Sequence, residues 1–445
     1  MKILVFGAGR SAFYTIQYLL QHASSNQWTV TVADADIKNI ELCTQGYNNA
    51  STHIADVHNT AERKQLIDSQ DIVISLLPAR FHILVAEDCL QLGVHLITPS
   101  YITPEIQAMH TDAETKGLYF INELGLDPGI DHMSAMQIID NLHSKGAEIS
   151  SFKSYCGGLI ALEDDTNPWH YKFSWNPYNV IRAGSDGALC RINNQHKYIP
   201  YSRLFAETEA FEINGEQFEG YYNRNSERYL ELYKLQHAET FVRGTLRYPD
   251  YCRNWNALVN LGVTNDSIAV TNHSKISWQQ YFHSFMPTEG KESKALSYIL
   301  ADKNTSNAIE WLWQNTKTNV PETATPAQAL QTLLEEKFLL QPDDKDRVVM
   351  IHEFIYTLGE KCFRLKSWLD ITGENSLKTA MAKTVGLPLA LAAELIAHKK
   401  LKTKGVIMPT LPEVYEPSLQ RLQAEGIVFH ELEEEISKNS GCGTP

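Results

Sequence analysis

The stretch "MKILVFGAGRSA" (1–12) decides the fold of the chain. An apolar run of strand length leads directly into a turn that fits the pattern G-x-G-x-x-G/A. After the turn, five apolar residues share one face of a helix with 3.6 residues per turn, namely Ala12, Ile16, Leu19, Leu20 and Ala23. This order is typical of a dinucleotide-binding unit, because glycines let backbone N–H groups approach a pyrophosphate. The alternative is a glycine turn in a similar fold that binds nothing.

The rest of the first 122 residues repeats the alternation of strand and helix. Strand-like runs follow at 28–33, 71–76, 94–98 and 118–122, with a weaker one at 52–55. Helical patterns separate these runs, and one of them begins at Thr103-Pro104, a capping residue followed by proline. Such regular alternation predicts an α/β fold, a Rossmann domain with a doubly wound parallel sheet.

From about residue 149 the pattern changes to strands without regular crossover helices, which predicts an α+β domain with a largely antiparallel sheet. Residues 273–340 carry helical patterns and are interpreted as an insertion of about four helices. The predicted organisation is therefore a Rossmann domain over 1–128, to which the segment of about 385–445 returns. The α+β domain covers 129–272 and 341–384.

Composition narrows the possible functions of the 445-residue chain. The net charge of −14 argues against binding to nucleic acid or to anionic membrane surfaces. Seven cysteines without a C-x-x-C pair indicate reduced thiols in a cytoplasm, and 16 histidines without ligand spacing indicate no metal. The chain opens on a strand and lacks an 18-residue apolar run, so neither a leader nor a membrane span is expected.

Asp34 bears on the choice of cofactor. It ends the second strand 25 residues after Gly9, where a carboxylate accepts hydrogen bonds from the adenosine ribose hydroxyls. A 2′-phosphate a few ångströms away would be disfavoured by up to about 4 kcal/mol at an effective dielectric constant near 20. No lysine or arginine follows immediately, so the sequence favours NAD over NADP.

The stretch "NELGLDPGIDH" (122–132) packs three carboxylates, a Pro-Gly turn and a histidine behind an apolar run. A solvated loop is the default interpretation of such a segment. The competing interpretation is a working site, because ligands of an open α/β sheet bind beyond the carboxyl ends of its strands. Ser100-Tyr101 and Asp127 follow the fifth and sixth predicted strands, on the same edge as the glycine turn.

Five motifs stand in order along the chain, and together they carry a resemblance to a known family. They are "NELGLDPGIDH", "SYCGGL" (154–159), "NPWHYKFSW" (167–175), "YNRNS" (222–226) and "RGTLRY" (243–248). The chain resembles saccharopine reductase, the glutamate-forming saccharopine dehydrogenase of lysine metabolism, over nearly its whole length. The resemblance implies a homodimeric oxidoreductase, in which the α+β domain over 129–272 and 341–384 binds substrate and forms the dimer. Such an enzyme condenses glutamate with 2-aminoadipate 6-semialdehyde to an imine and reduces that imine to saccharopine, or runs in reverse.

The resemblance also implies which residues contact ligands. Cofactor contacts fall on Gly7, Ala8, Gly9, Arg10, Asp34, Asp56, Val57, Leu77 and Trp175. Substrate contacts fall on Ser100, Tyr101, Asp127, Arg224, Thr245 and Arg247, with Cys156 near the reacting centre. The chain departs from eukaryotic members at Ala33-Asp34, where they carry a Cys-Arg pair consistent with NADP.

Several roles stay open at this point. Imine chemistry needs a positioned acid or base, for which Asp127, then Tyr101, then Cys156 are the candidates. Asp127 could instead hold the substrate ammonium group, and Cys156 could be an inert buried thiol. Arg224 and Arg247 suit substrate carboxylates, although a lone arginine is more often a surface cation.

Two other functions remain in competition with saccharopine oxidoreduction. One is a related imine reductase of carboxynorspermidine type, whose product has fewer carboxylates and should not need both arginines. The other is a non-catalytic NAD-binding protein, which would bind cofactor without hydride transfer.

Overall fold

The structure is a computed structural model that describes residues 1–271, 275–287 and 301–437. The chain divides into two compact units. The first comprises Met1–Gly146 and Leu377–Phe429, and the second comprises Ala147–Ser376 and the described residues from His430 onward.

The first unit is built on a seven-stranded sheet in which every strand pair is parallel. Its strands are β1 (Lys2–Phe6), β2 (Thr29–Asp34), β3 (Ala50–Ile54), β4 (Ile72–Ser75), β5 (His95–Ile97), β6 (Tyr119–Ile121) and β17 (Gly405–Ile407). The spatial order is β17-β6-β5-β4-β1-β2-β3. The predicted doubly wound parallel sheet is confirmed. The sequence did not predict β17, which the C-terminal segment adds beside β6.

Nine helices are described in this unit. They are α1 (Phe13–Asn26), α2 (Ile37–Thr44), α3 (Thr60–Ile67), α4 (His82–Leu92), α5 (Pro104–Ala108), α6 (His110–Thr115), α7 (Ile130–Ser144), α14 (Ala380–Ala397) and α15 (Pro412–Ala424). Helix α1 buries the apolar face that the sequence predicted and packs against α14, where the Thr15 hydroxyl donates to the Gly386 carbonyl at 2.8 Å. A Cβ at Gly386 would lie 2.9 Å from the Thr15 hydroxyl oxygen, so this contact needs a glycine.

Helix α14 is long and apolar enough to cross a membrane by length and composition alone, and it continues through Pro388. An apolar run of 18 residues was not expected from the sequence, and this helix supplies one. Its apolar 18-residue window is 78% buried inside the protein, as in the core helix of a soluble protein.

The second unit contains a nine-stranded mixed sheet with the main order β10-β11-β12-β7-β15-β16-β18, and β8 joins it through β12 and carries β9. Its strands are β7 (Glu148–Ile160), β8 (Ala188–Ile192), β9 (Gln195–Ile199), β10 (Thr208–Ile213), β11 (Glu216–Tyr222), β12 (Thr240–Arg247), β15 (Asp346–Leu358), β16 (Lys361–Thr372) and β18 (Phe429–Ile436). The pairing of β12 with β7 is parallel, and the other described pairs for which a register is known are antiparallel. A short pair, β13 (Val270–Thr271) and β14 (Thr323–Ala324), stands apart.

Helices pack on this sheet over an aromatic core that includes Trp169, Tyr171 and Trp255. They are α8 (Pro177–Ile181), α9 (Tyr201–Leu204), α10 (Tyr251–Leu261), α11 (Trp278–Phe285), α12 (Lys303–Trp313) and α13 (Pro326–Lys337). The last three fall within the predicted helical insertion. Another helical pattern of that insertion, 293–302, lies almost wholly outside the described residues.

The boundaries of the two compact units differ from the predicted domain boundaries. Helix α7 belongs to the first unit because it packs against α15, and the Tyr415 hydroxyl donates to the Asp140 carboxylate at 2.8 Å. Strand β18 belongs to the second unit because it pairs with β16. Five cysteines are free and buried, as expected for reduced thiols, whereas Cys362 is disulfide-bonded against that expectation.

Candidate active site

The glycine turn after β1 has the geometry of a phosphate cradle. Gly7 has φ +94°, and a Cβ there would lie 2.9 Å from the Leu76 carbonyl carbon and oxygen, so only glycine fits. A Cβ at Gly9 would meet nothing within 4 Å, which leaves open space above the turn. Helix α1 begins without a side-chain cap, so its first N–H groups remain available to an anion. This part of the chain fits a dinucleotide pyrophosphate.

Asp34 at the end of β2 holds the turn from its side. One carboxylate oxygen accepts from the Ala8 N–H at 2.7 Å, and the other accepts from the Asp36 N–H at 2.8 Å. The carboxylate is therefore anchored next to the phosphate cradle, where the sequence predicted contact with the adenosine ribose. Behind it, burial and the Asp34 charge raise the pKa of the Cys43 thiol to about 12, so Cys43 is a neutral thiol.

The other predicted cofactor residues of the first unit follow neighbouring strands of the same sheet. Asp56 and Val57 come after β3, where the Asp56 carboxylate caps the His58 N–H at 2.9 Å and Arg63 donates to the Val57 carbonyl. Leu77 comes after β4, next to the Leu76 backbone on which Gly7 rests. Arg10 is exposed in the turn. The carboxyl ends of β1 to β4 thus bring these residues to one edge.

The acidic stretch after β6 is not a solvated loop. Among residues 122–132, every residue is buried except Asp127, which is partly exposed. Glu123 accepts from the Ile102 N–H at 3.0 Å and contacts the His132 ring nitrogen Nε2 at 3.0 Å, both partners of this pair being fully buried. Asp131 accepts from the Gly129 N–H at 2.6 Å. Two of the three carboxylates are therefore engaged inside the protein.

Asp127 is the carboxylate that this arrangement leaves accessible. The Tyr101 hydroxyl donates to its Oδ1 at 3.3 Å, so two of the three predicted acid–base candidates lie together. The peptide bond between Asp127 and Pro128 is cis. Ser100, beside Tyr101, places its hydroxyl 2.7 Å from Nε2 of His82. The structure thus brings Ser100, Tyr101 and Asp127 to the carboxyl ends of β5 and β6.

In the second unit, Cys156 and Thr245 are direct partners across β7 and β12. Residues opposite each other on paired strands point to the same face, so Cys156, Thr245 and Arg247 share one face of the sheet. Cys156 is 7% exposed. The structure therefore brings these three predicted residues into one neighbourhood.

Arg247 is a buried cation inside an aromatic cage. Its guanidinium carbon lies 5.1 Å from the ring centres of Tyr171 and Tyr251 and 5.8 Å from that of Tyr221, and the residue is 3% exposed. One Nη donates to the Leu246 carbonyl at 2.7 Å, whereas the buried Nε has no hydrogen-bond partner. Over the described ranges of the chain, Arg247 forms no ion pair with a carboxylate.

The cage does not supply a negative charge. Burial raises the pKa of the Tyr251 hydroxyl well above its usual value, although the Arg247 charge lowers it, so Tyr251 is a neutral phenol at neutral pH. A buried cation without a counter-ion is costly, because removal of a charge from water is only partly offset by ring and carbonyl contacts. Arg247 therefore has the properties of a group that binds an anionic ligand.

Trp175 and Arg224 occupy different surroundings in the same unit. The Trp175 indole N–H donates to the Tyr171 hydroxyl at 3.2 Å, which links a predicted cofactor contact to the Arg247 cage. Arg224 is exposed and follows β11 with φ +51°. Arg247 pairs with Glu219 in the middle of β11, whereas Arg224 follows the end of that strand, so the two arginines lie at different positions along the sheet.

Sequence reasoning missed the groups that position these residues. The Arg247 cage combines tyrosines from three separate segments, for which only the aromatic alternation of "NPWHYKFSW" gives any signal. The contact of His82 with Ser100 and the contact of His132 with Glu123 were also not foreseen. Over the residues that the structure describes, no three His, Cys, Asp or Glu residues cluster as metal ligands.

The family models give the assignment that this geometry calls for. Residues 3–121 match the saccharopine dehydrogenase NADP binding domain, and residues 125–427 match the saccharopine dehydrogenase C-terminal domain. The chain belongs to the saccharopine dehydrogenase family. The family resemblance inferred from the sequence motifs is therefore confirmed, and a nicotinamide cofactor is supported.

Individual relatives agree with the family assignment. A saccharopine dehydrogenase (NADP(+), L-glutamate-forming) of Schizosaccharomyces pombe is 31% identical, with 98% of this chain and 99% of that protein covered. The mitochondrial alpha-aminoadipic semialdehyde synthase of Mus musculus is 34% identical over 96% of this chain but only 47% of its own length. The chain thus spans about half the length of such synthases. The apo saccharopine dehydrogenase (L-Glu forming) structure from Saccharomyces cerevisiae superposes with a TM-score of 0.84, 29% identity, and coverage of 97% of this chain and 99% of that one.

Proposed function

We propose that the chain is an oxidoreductase of lysine metabolism. It interconverts saccharopine with L-glutamate and 2-aminoadipate 6-semialdehyde by hydride transfer with a nicotinamide cofactor. The observation that carries the proposal is Arg247, a buried guanidinium without a carboxylate partner in the described parts of the chain. A substrate with three carboxylates supplies the missing counter-ion, and a guanidinium recognises a carboxylate with two parallel hydrogen bonds.

The bound nucleotide supplies or accepts the hydride, and the chain holds it through the glycine turn and Asp34. Gly7 and Gly9 let backbone N–H groups face the pyrophosphate, and Asp34 fixes the turn through Ala8. By the family resemblance, Trp175 is also proposed as a cofactor contact. These groups bind and orient, so the reaction needs little covalent chemistry from the protein.

Asp127 is proposed to move protons during imine formation and hydrolysis. It is the accessible carboxylate of the buried acidic stretch, and the Tyr101 hydroxyl donates to it. When carbinolamine loses water, a proton must reach the departing hydroxyl, and a carboxyl group near the reacting nitrogen can deliver it. Tyr101 is the second candidate for this transfer and Cys156 the third, beside Thr245.

Asp34 supports NAD as the preferred cofactor, whereas the relatives' names specify NADP(+). The Asp34 carboxylate is held next to the turn by the Ala8 and Asp36 N–H groups, so it cannot rotate away without losing both bonds. A 2′-phosphate beside this fixed charge would be repelled by up to about 4 kcal/mol. We therefore propose NAD(H) over NADP(H) for this chain.

The direct test is a steady-state assay of the purified chain with saccharopine and each oxidised cofactor. Formation of reduced nicotinamide and of glutamate is expected, with the higher kcat/KM for NAD. Asp127→Asn should lower kcat by about 100-fold to 10,000-fold with little change in cofactor binding, and Tyr101→Phe should lower it less. Absence of glutamate with both cofactors rejects the assignment. Turnover of an imine that has fewer carboxylates, without turnover of saccharopine, would assign a related reductase.

The proposal extends to the assembly and location that the family resemblance suggested. A homodimer in the cytoplasm is expected for the active protein. Light scattering behind size-exclusion chromatography measures the first point, and cell fractionation measures the second. A monomer with full activity would remove the dimer from the proposal.

A further inference from the structure

A buried chain of polar groups lies beneath the carboxyl ends of β4 and β5. His82, at the start of α4, is 2% exposed and contacts one serine through each ring nitrogen. Its Nδ1 lies 2.8 Å from the Ser75 hydroxyl oxygen, and its Nε2 lies 2.7 Å from the Ser100 hydroxyl oxygen. Thr98 flanks the ring, with Oγ1 3.2 Å from Nε2, and accepts from the Ser100 N–H at 3.3 Å.

His82 is a neutral imidazole in this position. Burial lowers its pKa from 6.5 to about 4, so at neutral pH one ring nitrogen carries a proton and the other accepts. Which nitrogen carries the proton decides what the Ser100 hydroxyl can offer outward. If Nε2 donates to Ser100, the serine proton is free for a ligand. If Nε2 accepts from Ser100, only lone pairs are presented.

Ser75 selects between the two tautomers. It is fully buried, and its hydroxyl has no side-chain hydrogen bond other than that with Nδ1 over the described residues. If Nδ1 carried the proton, the Ser75 proton would be left without an acceptor, which costs about 1–3 kcal/mol. If Nε2 carries the proton, Ser75 donates to Nδ1 and Nε2 donates to Ser100. The fully buried Thr98 hydroxyl, whose oxygen lies 3.4 Å from Nδ1, can share Nδ1 as its acceptor.

We propose that Ser75 and His82 are positioning residues that make Ser100 an outward hydrogen-bond donor to a carbonyl or carboxylate oxygen of the ligand. Ser100 is partly exposed, whereas Ser75 and His82 are buried. Among these three hydrogen-bonded residues, only Ser100 can be reached by a ligand. Ligands of an open α/β sheet bind at this edge. The inference rests on the proposed function, because saccharopine has three carboxylates and nicotinamide has a carboxamide oxygen.

The tautomer of His82 can be measured without any activity. Long-range proton–nitrogen spectra of the full chain labelled with ¹⁵N-histidine distinguish a protonated ring nitrogen from an accepting one. His82 is expected to show a protonated Nε2 and an accepting Nδ1 at pH 7. His95 is an internal reference, because its Nδ1 accepts from the Tyr119 N–H at 3.1 Å and its proton must sit on Nε2. A proton on Nδ1 of His82, or a charged ring at pH 7, overturns the proposal.

The signal is assigned by its loss in His82→Asn, or by its shift in Ser75→Ala if the first variant does not fold. This measurement stays decisive even if the chain does not turn over saccharopine, so failure of the proposed function and failure of the tautomer are separate results.

Binding experiments identify the oxygen that Ser100 contacts. Ser100→Ala should weaken one ligand by about tenfold, the value of one hydrogen bond to a charged or polar partner. A higher KM for saccharopine at saturating cofactor assigns a substrate carboxylate. Weaker cofactor binding by calorimetry, without substrate, assigns the carboxamide. No change in either measurement overturns the proposal.

A double-mutant cycle tests that His82 acts through Ser100. His82→Phe should weaken the same ligand, and the double variant with Ser100→Ala should be no weaker than Ser100→Ala alone. Losses that add independently overturn the positioning role. His95 is a partly buried histidine at the start of β5, and the matched control His95→Phe should leave KM and cofactor affinity unchanged.

Discussion

Arg247 and Arg347 make a matched pair of buried arginines with opposite surroundings. Arg347 is 7% exposed and donates to Glu216 and Asp370 at 2.6 Å each, whereas Arg247 is 3% exposed and is surrounded by tyrosines. Substitution of each by methionine keeps much of the side-chain volume and removes only the charged head. The two variants should therefore differ in what they lose.

The magnitudes follow from these contacts. Arg347→Met leaves two partly buried carboxylates without their cation, and an unfolding free energy lower by about 2–4 kcal/mol is expected. Arg247→Met removes three ring contacts and one carbonyl hydrogen bond, which together stabilise the folded state by about 4 kcal/mol. It also removes a buried unpaired charge, which destabilises the folded state by several kcal/mol. These terms nearly cancel, so its unfolding free energy should change by less than about 1 kcal/mol.

Affinity for saccharopine should rank the two variants in the opposite order. Removal of the charged partner of a desolvated carboxylate costs about 2–5 kcal/mol, so Arg247→Met should weaken saccharopine by roughly 100-fold while Arg347→Met binds it normally. Urea unfolding with and without saccharopine measures both quantities on one sample, since a bound ligand raises the midpoint. If Arg247→Met destabilises the apo chain as much as Arg347→Met and keeps its affinity for saccharopine, Arg247 is a structural cation and the reasoning is wrong.

Three further predictions concern the first unit. Asp34→Asn, which keeps an acceptor for the Ala8 N–H but removes the charge, should raise the ratio of kcat/KM for NADPH over NADH by at least about tenfold; an unchanged ratio would show that Asp34 does not select the cofactor. The folded pKa of His82, about 4, lies below the unfolded value near 6.5, so the unfolded chain takes up the proton first, and roughly 3 kcal/mol of stability should be lost as pH falls from 6.5 to 4. His82→Phe should flatten this slope in urea titrations at several pH values, and an unaltered slope contradicts the assignment. Glu123→Ala should lower the unfolding free energy by about 3–4 kcal/mol, because it removes the carboxylate that contacts the His132 ring and accepts from the Ile102 N–H. Glu123→Gln, which can keep both bonds, should lose much less, and equal losses would contradict this account.

The fold of the first unit was predictable because most of its elements are signalled locally. Strand length, helical period and the glycine turn all lie within short windows, and the parallel order follows from their alternation. Strand β17 was not predictable, because three residues carry no period and their partner β6 lies nearly 300 residues earlier. The same limit applies to β18, whose glutamate-rich sequence does not look like a strand but pairs with β16.

Residues of the candidate site can be proposed from the sequence, but their contacts cannot. Gly7, Asp34 and Asp127 stand out by spacing and by family resemblance. The state of Arg247 does not, because its exposure and its lack of a counter-ion depend on tyrosines at 171, 221 and 251 that long-range packing brings together. A sequence names a cation; only the packing tells whether that cation already has an anion.

The acidic stretch after β6 carries the same lesson further. Its three carboxylates are equivalent in the sequence, and any of them could have been a catalytic base or a solvated side chain. Burial separates them, since Glu123 is committed to the Ile102 N–H and to His132, and Asp131 is committed to the Gly129 N–H. These hydrogen bonds hold the Pro-Gly turn in place beside Asp127, the one carboxylate of the stretch that remains accessible. A proton-transfer group must be both fixed and accessible. In this stretch Glu123 and Asp131 fix the backbone, and Asp127 stays accessible to a ligand.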